Sequence, residues 1–115
     1  MSTTTCAITG FLWLGKAGWS LSLAYDLNPV PTDLKARILT TNIDLDEGTC
    51  SLDLLEQASA YFALTLAQAR AIIKDVATVT ATWRKAAKGV GTRSAEINRM
   101  ASAFEHDDLA RALAL

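Results

Sequence analysis

Residues 19–29, which read WSLSLAYDLNP, decide the fold of the N-terminal part of the chain. Every second residue from Trp19 to Leu23 is apolar and serines lie between them, which is the period of a strand with one apolar face. Asp26 follows this strand, and Pro29 then stops regular structure. Because hard cations prefer oxygen ligands, a carboxylate at a strand end beside a rigid turn makes Asp26 a candidate metal ligand.

A second apolar, β-prone stretch precedes this strand, at residues 6–14. Residues 15–18 (GKAG) supply turn chemistry between the two stretches. The pattern therefore predicts a β-hairpin over residues 6–23. Because an isolated hairpin is marginally stable in water, we expect it to pack on the rest of the chain.

Residues 24–50 are loop-rich, and residues 51–115 are predicted to be helical. Ser51 can cap a first helix that runs to residue 62. Thr65 and Gln68 form a capping box at the start of the longest helix, which glycines 89 and 91 end. The predicted apolar stripe of this helix is Ala69, Ile72, Ile73, Val76, Thr80, Trp83 and Ala87.

Two shorter helices complete the helical part. One is capped by Thr92 or Ser94 and carries apolar residues up to Phe104, and the last covers residues 109–115. The predicted fold class is therefore α+β and mostly α, with a short N-terminal hairpin packed on a bundle of three or four helices. We expect residues 1–115 to form a single domain.

Composition favours an ordinary globular protein. Half of the 115 residues are hydrophobic, a fifth are charged, and the net charge is −1, so we expect no direct nucleic-acid binding. The basic stretch 84–99 is interpreted as a solvated helix face, with a phosphate or nucleic-acid surface as the alternative. Cys6, Cys50 and His106 have no metal-ligand spacing, and His106 is interpreted as a surface residue. Without an apparent signal peptide or membrane span, we expect a cytoplasmic protein.

Four stretches resemble segments of the HipA-like toxin serine/threonine kinases. Residues 19–31 are similar to the metal-binding segment of that family, which usually reads LSPAYDLNP. Residues 54–62 and 67–83 resemble its L-L-x-x-A-x-x-F helix and its A-x-x-I-I-x-x-V…W helix, and residues 91–104 resemble its closing element. The four stretches occur in the family's order. The resemblance implies the C-terminal, kinase C-lobe-like part of such an enzyme.

The resemblance also implies a role for Asp26, as the ligand of a magnesium ion that bridges ATP phosphates. In the family, the partner ligand and the catalytic base come from a D-x-H-x-x-N loop just upstream of the hairpin. Residues 3–10 (TTTCAITG) contain no Asp, Asn or His, and Leu23 stands where the family commonly has Pro. We therefore expect no catalytic residues, no bound ATP or magnesium and no kinase activity in this chain alone. Asp26 can instead cap the following turn.

Other patterns point to packing. Residues 44–48 (DLDEG) fail the spacing of a calcium loop and predict a solvated turn. The tryptophans are expected to pack in cores or between elements.

Two functional hypotheses remain open. The chain is either the C-terminal lobe of a HipA-like kinase, as a remnant that is inert alone or as one half of a split kinase that a separate N-terminal lobe completes, or a free-standing helical interaction module. The family resemblance also implies a DNA-binding antitoxin as a partner. We expect a homodimer that buries the hairpin residues Phe11–Leu14, because exposed apolar patches and unpaired strand edges recruit partners.

Overall fold

The computed structural model describes residues 10–23, 28–38, 43–44 and 46–115. The described part is mostly helical and has one two-stranded antiparallel sheet near its N-terminus, which agrees with the predicted fold class. The sheet consists of β1 (Phe11–Trp13) and β2 (Trp19–Leu21). The helices are α1 (Leu52–Ala58), α2 (Leu66–Thr80), α3 (Trp83–Gly89), α4 (Ser94–Arg99), α5 (Ala101–Phe104) and α6 (Asp107–Ala114). These six helices exceed the predicted three or four because the long predicted helix is divided into α2 and α3, and the predicted helix that follows it is divided into α4 and α5.

The hairpin is confirmed, with a short 3₁₀ turn at Gly15–Ala17 between its strands. Gly15 and Gly18 adopt positive φ angles of 64° and 85°, which glycine tolerates and other residues rarely do. Phe11 lies opposite Leu21, and Trp13 lies opposite Trp19. Since alternate residues of a strand point to opposite faces and directly paired residues share a face, these four apolar side chains lie on one face of the sheet.

That apolar face is not buried against the helices. Its four side chains are 60–68% exposed, so the expectation that the hairpin packs on the bundle is not met by these residues. The strands are only three residues long and leave little surface for a second layer. Residues 6–9, where the first strand was predicted to begin, lie outside the described residues.

The core of the helical part lies where α2 packs on α6. Ile73, Ala77 and Ala112 are buried there, with Leu52 and Leu109 packed against them. Ala69, four residues before Ile73, is also buried. The small side chains at 69 and 77 leave room for a neighbouring helix to approach α2 along this row of residues.

The predicted stripe of α2 was therefore partly wrong. Ile72 and Val76 were assigned to the core, but they are 50% and 61% exposed. The start of the helix was predicted correctly, because the Thr65 N–H donates to Gln68 Oε1 (2.9 Å) and the Gln68 N–H donates to Thr65 Oγ1 (3.2 Å).

The long predicted helix also breaks, at residues 81–82, into α2 and α3. Three threonine hydroxyls around the break donate to backbone carbonyls of the preceding turn: Thr78 to Lys74, Thr80 to Val76 and Thr82 to Val79, each at 2.8 Å. Such bonds compete with the helical ladder and commonly bend helices. Gly91, at a φ of 85°, follows the end of α3, as the sequence predicted.

The caps of the last helices differ from the prediction by one or two residues. Arg93, and not Thr92 or Ser94, occupies the N-cap of α4, and its N–H donates to Glu96 Oε2 (3.1 Å). The N-cap of α6 is His106, so this helix begins two residues before its predicted start at Leu109. In the part of the chain that the structure describes, no helix combines the length and the apolarity needed to cross a membrane.

Candidate functional site

The predicted metal ligand, Asp26, lies outside the described residues, so its role stays a prediction. Among residues 10–23, 28–38, 43–44 and 46–115, no three His, Cys, Asp or Glu side chains are placed together so that they could hold a metal ion. The turn at residues 44–48 is confirmed in its described residues: the Glu47 N–H donates to the Asp44 carbonyl (3.3 Å). The Glu47 carboxylate accepts from the Thr49 hydroxyl and from the Thr49 N–H (2.9 Å), and these two hydrogen bonds lower the pKa of Glu47.

The segment that follows Asp26 is fixed to the C-terminal helices. Asp33 accepts two hydrogen bonds from the Arg99 guanidinium, at 3.1 and 3.0 Å, and this contact lowers the pKa of the Asp33 carboxyl. The Thr32 N–H donates to Ser102 Oγ (3.1 Å). Residues 28–38 therefore have a defined position against α4 and α5.

Two cavities adjoin where this segment meets the helices. The first, which we call the polar cleft, has a volume of about 230 Å³. Its lining includes Asn28, Lys35, Arg37, Cys50 and His106. The second, the apolar groove, has a volume of about 470 Å³. The groove is lined mainly by aliphatic and aromatic side chains, among them Leu52, Leu55, Ile72, Val76, Phe104 and Leu109.

Arg37 and His106 line both cavities and so mark their junction. The Arg37 guanidinium contacts the Asp108 carboxylate at 2.6 Å. Asp108 is also 3.8 Å from Arg111, which in turn bonds to Asp53 on α1 at 2.7 Å. A chain of alternating charges thus joins the segment 28–38, α6 and α1.

His106 is half-buried, so its interpretation as a surface residue was wrong. Its Nδ1 atom is buried and has no hydrogen-bond partner among the described residues. Burial lowers the pKa of His106 and the nearby Arg37 lowers it further, whereas Asp108 and Asp107 act in the opposite direction. The imidazole is therefore neutral at pH 7 and can donate or accept a hydrogen bond at the junction of the cavities.

Sequence reasoning missed this junction. Arg37 is separated from His106 and Asp108 by about seventy residues, and no periodicity or motif connects positions so far apart. The only local signal was the acidic pair that follows His106, which is typical of a helix N-terminus.

Three of the five basic residues in the stretch 84–99, namely Arg84, Arg93 and Arg99, are paired with carboxylates of the chain. Arg84 pairs with Glu105 through two hydrogen bonds, one of them 2.9 Å long, and it also donates to Asn98 (3.1 Å). This pairing lowers the pKa of Glu105. Arg93 is paired with the adjacent Glu96, at 2.8 Å. These contacts favour the solvated-face interpretation over a nucleic-acid surface.

The tryptophans occupy two different environments. Trp83 is half-buried and its ring stacks on that of Phe104 in α5, as expected for inter-element packing. Trp13 and Trp19 contact each other across the hairpin, with centroids 5.2 Å apart, but both remain mostly exposed. The hairpin tryptophans are therefore available to a partner.

Comparison with known proteins gives no relative: the chain matches no protein-family profile, no curated protein and no solved structure.

Proposed function

We propose that this chain acts by binding a polypeptide partner and not by catalysis, as the C-terminal part of a HipA-like kinase that is inactive alone. The observation that carries the binding function is the exposed apolar face of the hairpin, formed by Phe11, Trp13, Trp19 and Leu21. The kinase assignment is supported by the four sequence stretches that resemble that family.

The size of the hairpin face suits an interface. An aromatic side chain buries ~150–250 Å² when it is fully covered, so three partly exposed aromatics and a leucine offer roughly 500 Å². Each partner of a standard interface contributes about 800 Å², so this face supplies more than half of one side. In the described part of the chain the sheet has only two strands, so each also has an unpaired edge that can hydrogen-bond to another strand.

The partner that we propose is a second copy of the chain. Homodimers with two-fold symmetry are the commonest oligomers, and the hairpin face is apolar enough to be self-complementary. A complementary kinase lobe is the alternative partner, because the same face would then be covered by a different chain.

Sedimentation velocity between 1 and 100 µM tests the dimer. We expect the wild-type chain to dimerise, and Trp19→Thr to shift it to monomer, since Thr keeps the β-propensity and removes the aromatic surface. Val79→Thr is the matched control, because Val79 is also exposed but belongs to α2 and not to the hairpin. A wild-type monomer whose binding of a hydrophobic dye is weakened by Trp19→Thr would favour the complementary lobe, and a monomer whose dye binding is unchanged by Trp19→Thr would exclude both partners.

The absence of catalysis has its own test. We expect isothermal titration calorimetry to detect no binding of ATP with magnesium to the purified chain, and we expect no phosphate transfer to a protein substrate. Micromolar affinity for ATP that is lost in Asp26→Ala would contradict this part of the proposal and would establish Asp26 as a metal ligand.

A further inference from the structure

The two strands of the hairpin differ in polarity, although both are edge strands in the described part of the chain. In β2 and the residues after it, apolar residues alternate with Ser20 and Ser22, so one face of this strand is polar. β1 is apolar on both faces, because Leu12 and the following Leu14 lie on the side opposite the hairpin face and are each 54% exposed. A short, continuous apolar run between turn residues is typical of a strand inside a sheet. The sequence of β1 therefore indicates a neighbouring strand on its free edge.

Hydrogen bonds close the residue pairs at the two ends of the hairpin. The Ser22 N–H donates to the Gly10 carbonyl, and the Leu14 N–H donates to the Gly18 carbonyl, both at 2.7 Å. Along an antiparallel ladder, hydrogen-bonded pairs alternate with pairs that exchange no hydrogen bonds. The two pairs that form the hairpin face lie one residue inside these ends, so they are non-hydrogen-bonded pairs.

This pattern identifies the backbone groups that face outward. In a non-hydrogen-bonded pair the N–H and C=O groups point away from the opposite strand, so those of Phe11 and Trp13 point to the free edge of β1. Among the described residues, no hydrogen-bond partner is found for these groups. The edge of β1 can therefore bond to a further strand at both residues.

We propose that β1 of a second copy occupies this edge, antiparallel to the first and related to it by a two-fold axis that passes beside Leu12. In this register Phe11 of each copy pairs with Trp13 of the other, and the two pairs exchange four hydrogen bonds. Both outward-facing residues then find partners within Phe11–Trp13 of the other copy. The two-fold axis makes the contact self-complementary. The inference rests on the proposed homodimer and specifies the strand edge through which the copies join.

The register also accounts for the exposed leucines, which the hairpin face alone does not explain. The Leu12 side chains of the two copies meet at the axis as a non-hydrogen-bonded pair, in which side chains approach most closely. Joining through the edge of β2 would instead place Ser20 at the axis and leave the leucines in solvent. On the hairpin face, Trp13 keeps its contact with Trp19 at 5.2 Å and gains Phe11 of the other copy as a neighbour. Each apolar pair thus extends across the joint between the copies.

Hydrogen exchange of the wild-type chain tests which edge is used. It is followed for single amides by nuclear magnetic resonance, at concentrations below and above dimerisation. We expect the amides of Phe11 and Trp13 to exchange at least tenfold more slowly in the dimer, because they become hydrogen-bonded. The amides of Trp19 and Leu21, the matched groups on the edge of β2, should keep their rates.

The other outcomes separate this inference from the proposed dimer. Protection of Trp19 and Leu21 alone, equal protection of both edges, or a dimer that protects neither edge would overturn the edge assignment and leave the dimer standing. Slow exchange of Phe11 and Trp13 already in the monomer would also overturn it, since the edge would be covered within one chain. A chain that stays monomeric would overturn the dimer and the inference together.

Cysteine variants test the register. In a background of Cys6→Ser and Cys50→Ser, we expect Leu12→Cys to give a disulfide-linked dimer under mild oxidation, because the ~4.5 Å between the Cα atoms of such a pair suits a disulfide. Leu14→Cys is the matched control on the same face of β1. Its two copies would lie four residues apart along the strands, about 13 Å, which is too far for a disulfide. Equal cross-linking of the two variants, or none in a Leu12→Cys chain that sediments as a dimer, would overturn the register.

Discussion

Trp83 and Phe104 stack with ring centroids 4.5 Å apart and planes only 10° from parallel. The contact joins the first residue of α3 to the last residue of α5, and Glu105, next to Phe104, is held by Arg84, next to Trp83. Two neighbouring residues at the start of α3 therefore contact two neighbouring residues at the end of α5, through one aromatic contact and one ion pair. This contact fixes α3, which is separated from α2 by the break at 81–82, against the C-terminal helices.

The stacked pair predicts the stability of tryptophan variants. Trp83→Ala should destabilise the protein by about 2–3 kcal/mol, which is below the ~3–5 kcal/mol expected for a fully buried aromatic because Trp83 is only half-buried. Trp19→Ala is the control, since Trp19 is exposed and should cost less than about 1 kcal/mol. Both free energies of unfolding can be measured by urea denaturation, with circular dichroism as the probe. The protein concentration should be too low for the chain to dimerise. A larger loss for Trp19 would show that the hairpin is covered within one chain.

Two adjacent isoleucines on α2 test where its core face lies. Ile73→Ala should cost about 2–4 kcal/mol, because Ile73 packs with Ala112 of α6 in the core. Ile72→Ala removes the same atoms from a half-exposed position and should cost about 1 kcal/mol or less. Chemical denaturation of the two variants compares them directly. If the two variants lost equal amounts of unfolding free energy, α6 would have to cover Ile72 as well as Ile73.

The half-buried histidine predicts how stability changes with pH. The pKa of His106 is lowered in the folded state relative to the value of 6.5 for an unperturbed imidazole, so between those two pKa values the unfolded chain binds more protons. Stability should therefore fall as the pH falls below about 6.5, and this slope should be smaller in His106→Gln. Melting temperatures between pH 7.5 and 5.5 measure the difference.

Because His106 is the only histidine in the chain, a nuclear magnetic resonance titration can follow it without overlap. A pKa above 6.5 would show that Asp107 and Asp108 outweigh burial and Arg37, and the contribution of His106 to the slope would then reverse.

Local features of the fold could be predicted from the sequence. The alternation around Trp19 and the glycines of the turn predicted the hairpin, and Thr65 with Gln68 predicted the start of α2, since each depends on residues within a few positions of one another. The core face of α2 was harder to assign. Apolar residues at both 72 and 73 satisfy a helical period, and only the position of α6 decides that Ile73 is buried while Ile72 lines a groove.

The candidate binding site could not be predicted from local sequence patterns. It is formed by Arg37, Asp108 and His106, whose approach depends on how residues 28–38 dock on the C-terminal helices. The metal ligand that the sequence did suggest, Asp26, stays a prediction, because it lies outside the described residues.

The docking of residues 28–38 has a consequence for how the chain folds during synthesis. The partners of Thr32 and Asp33 are 70 and 66 residues further along the chain, so contacts that fix this segment cannot form until α4 and α5 have been made. At ~5–20 residues per second, that delay is roughly 3–14 s. Throughout this interval residues 28–38 would be present without their partners on α4 and α5, so together with the exposed hairpin they form the region of the nascent chain where a chaperone would be expected to bind first.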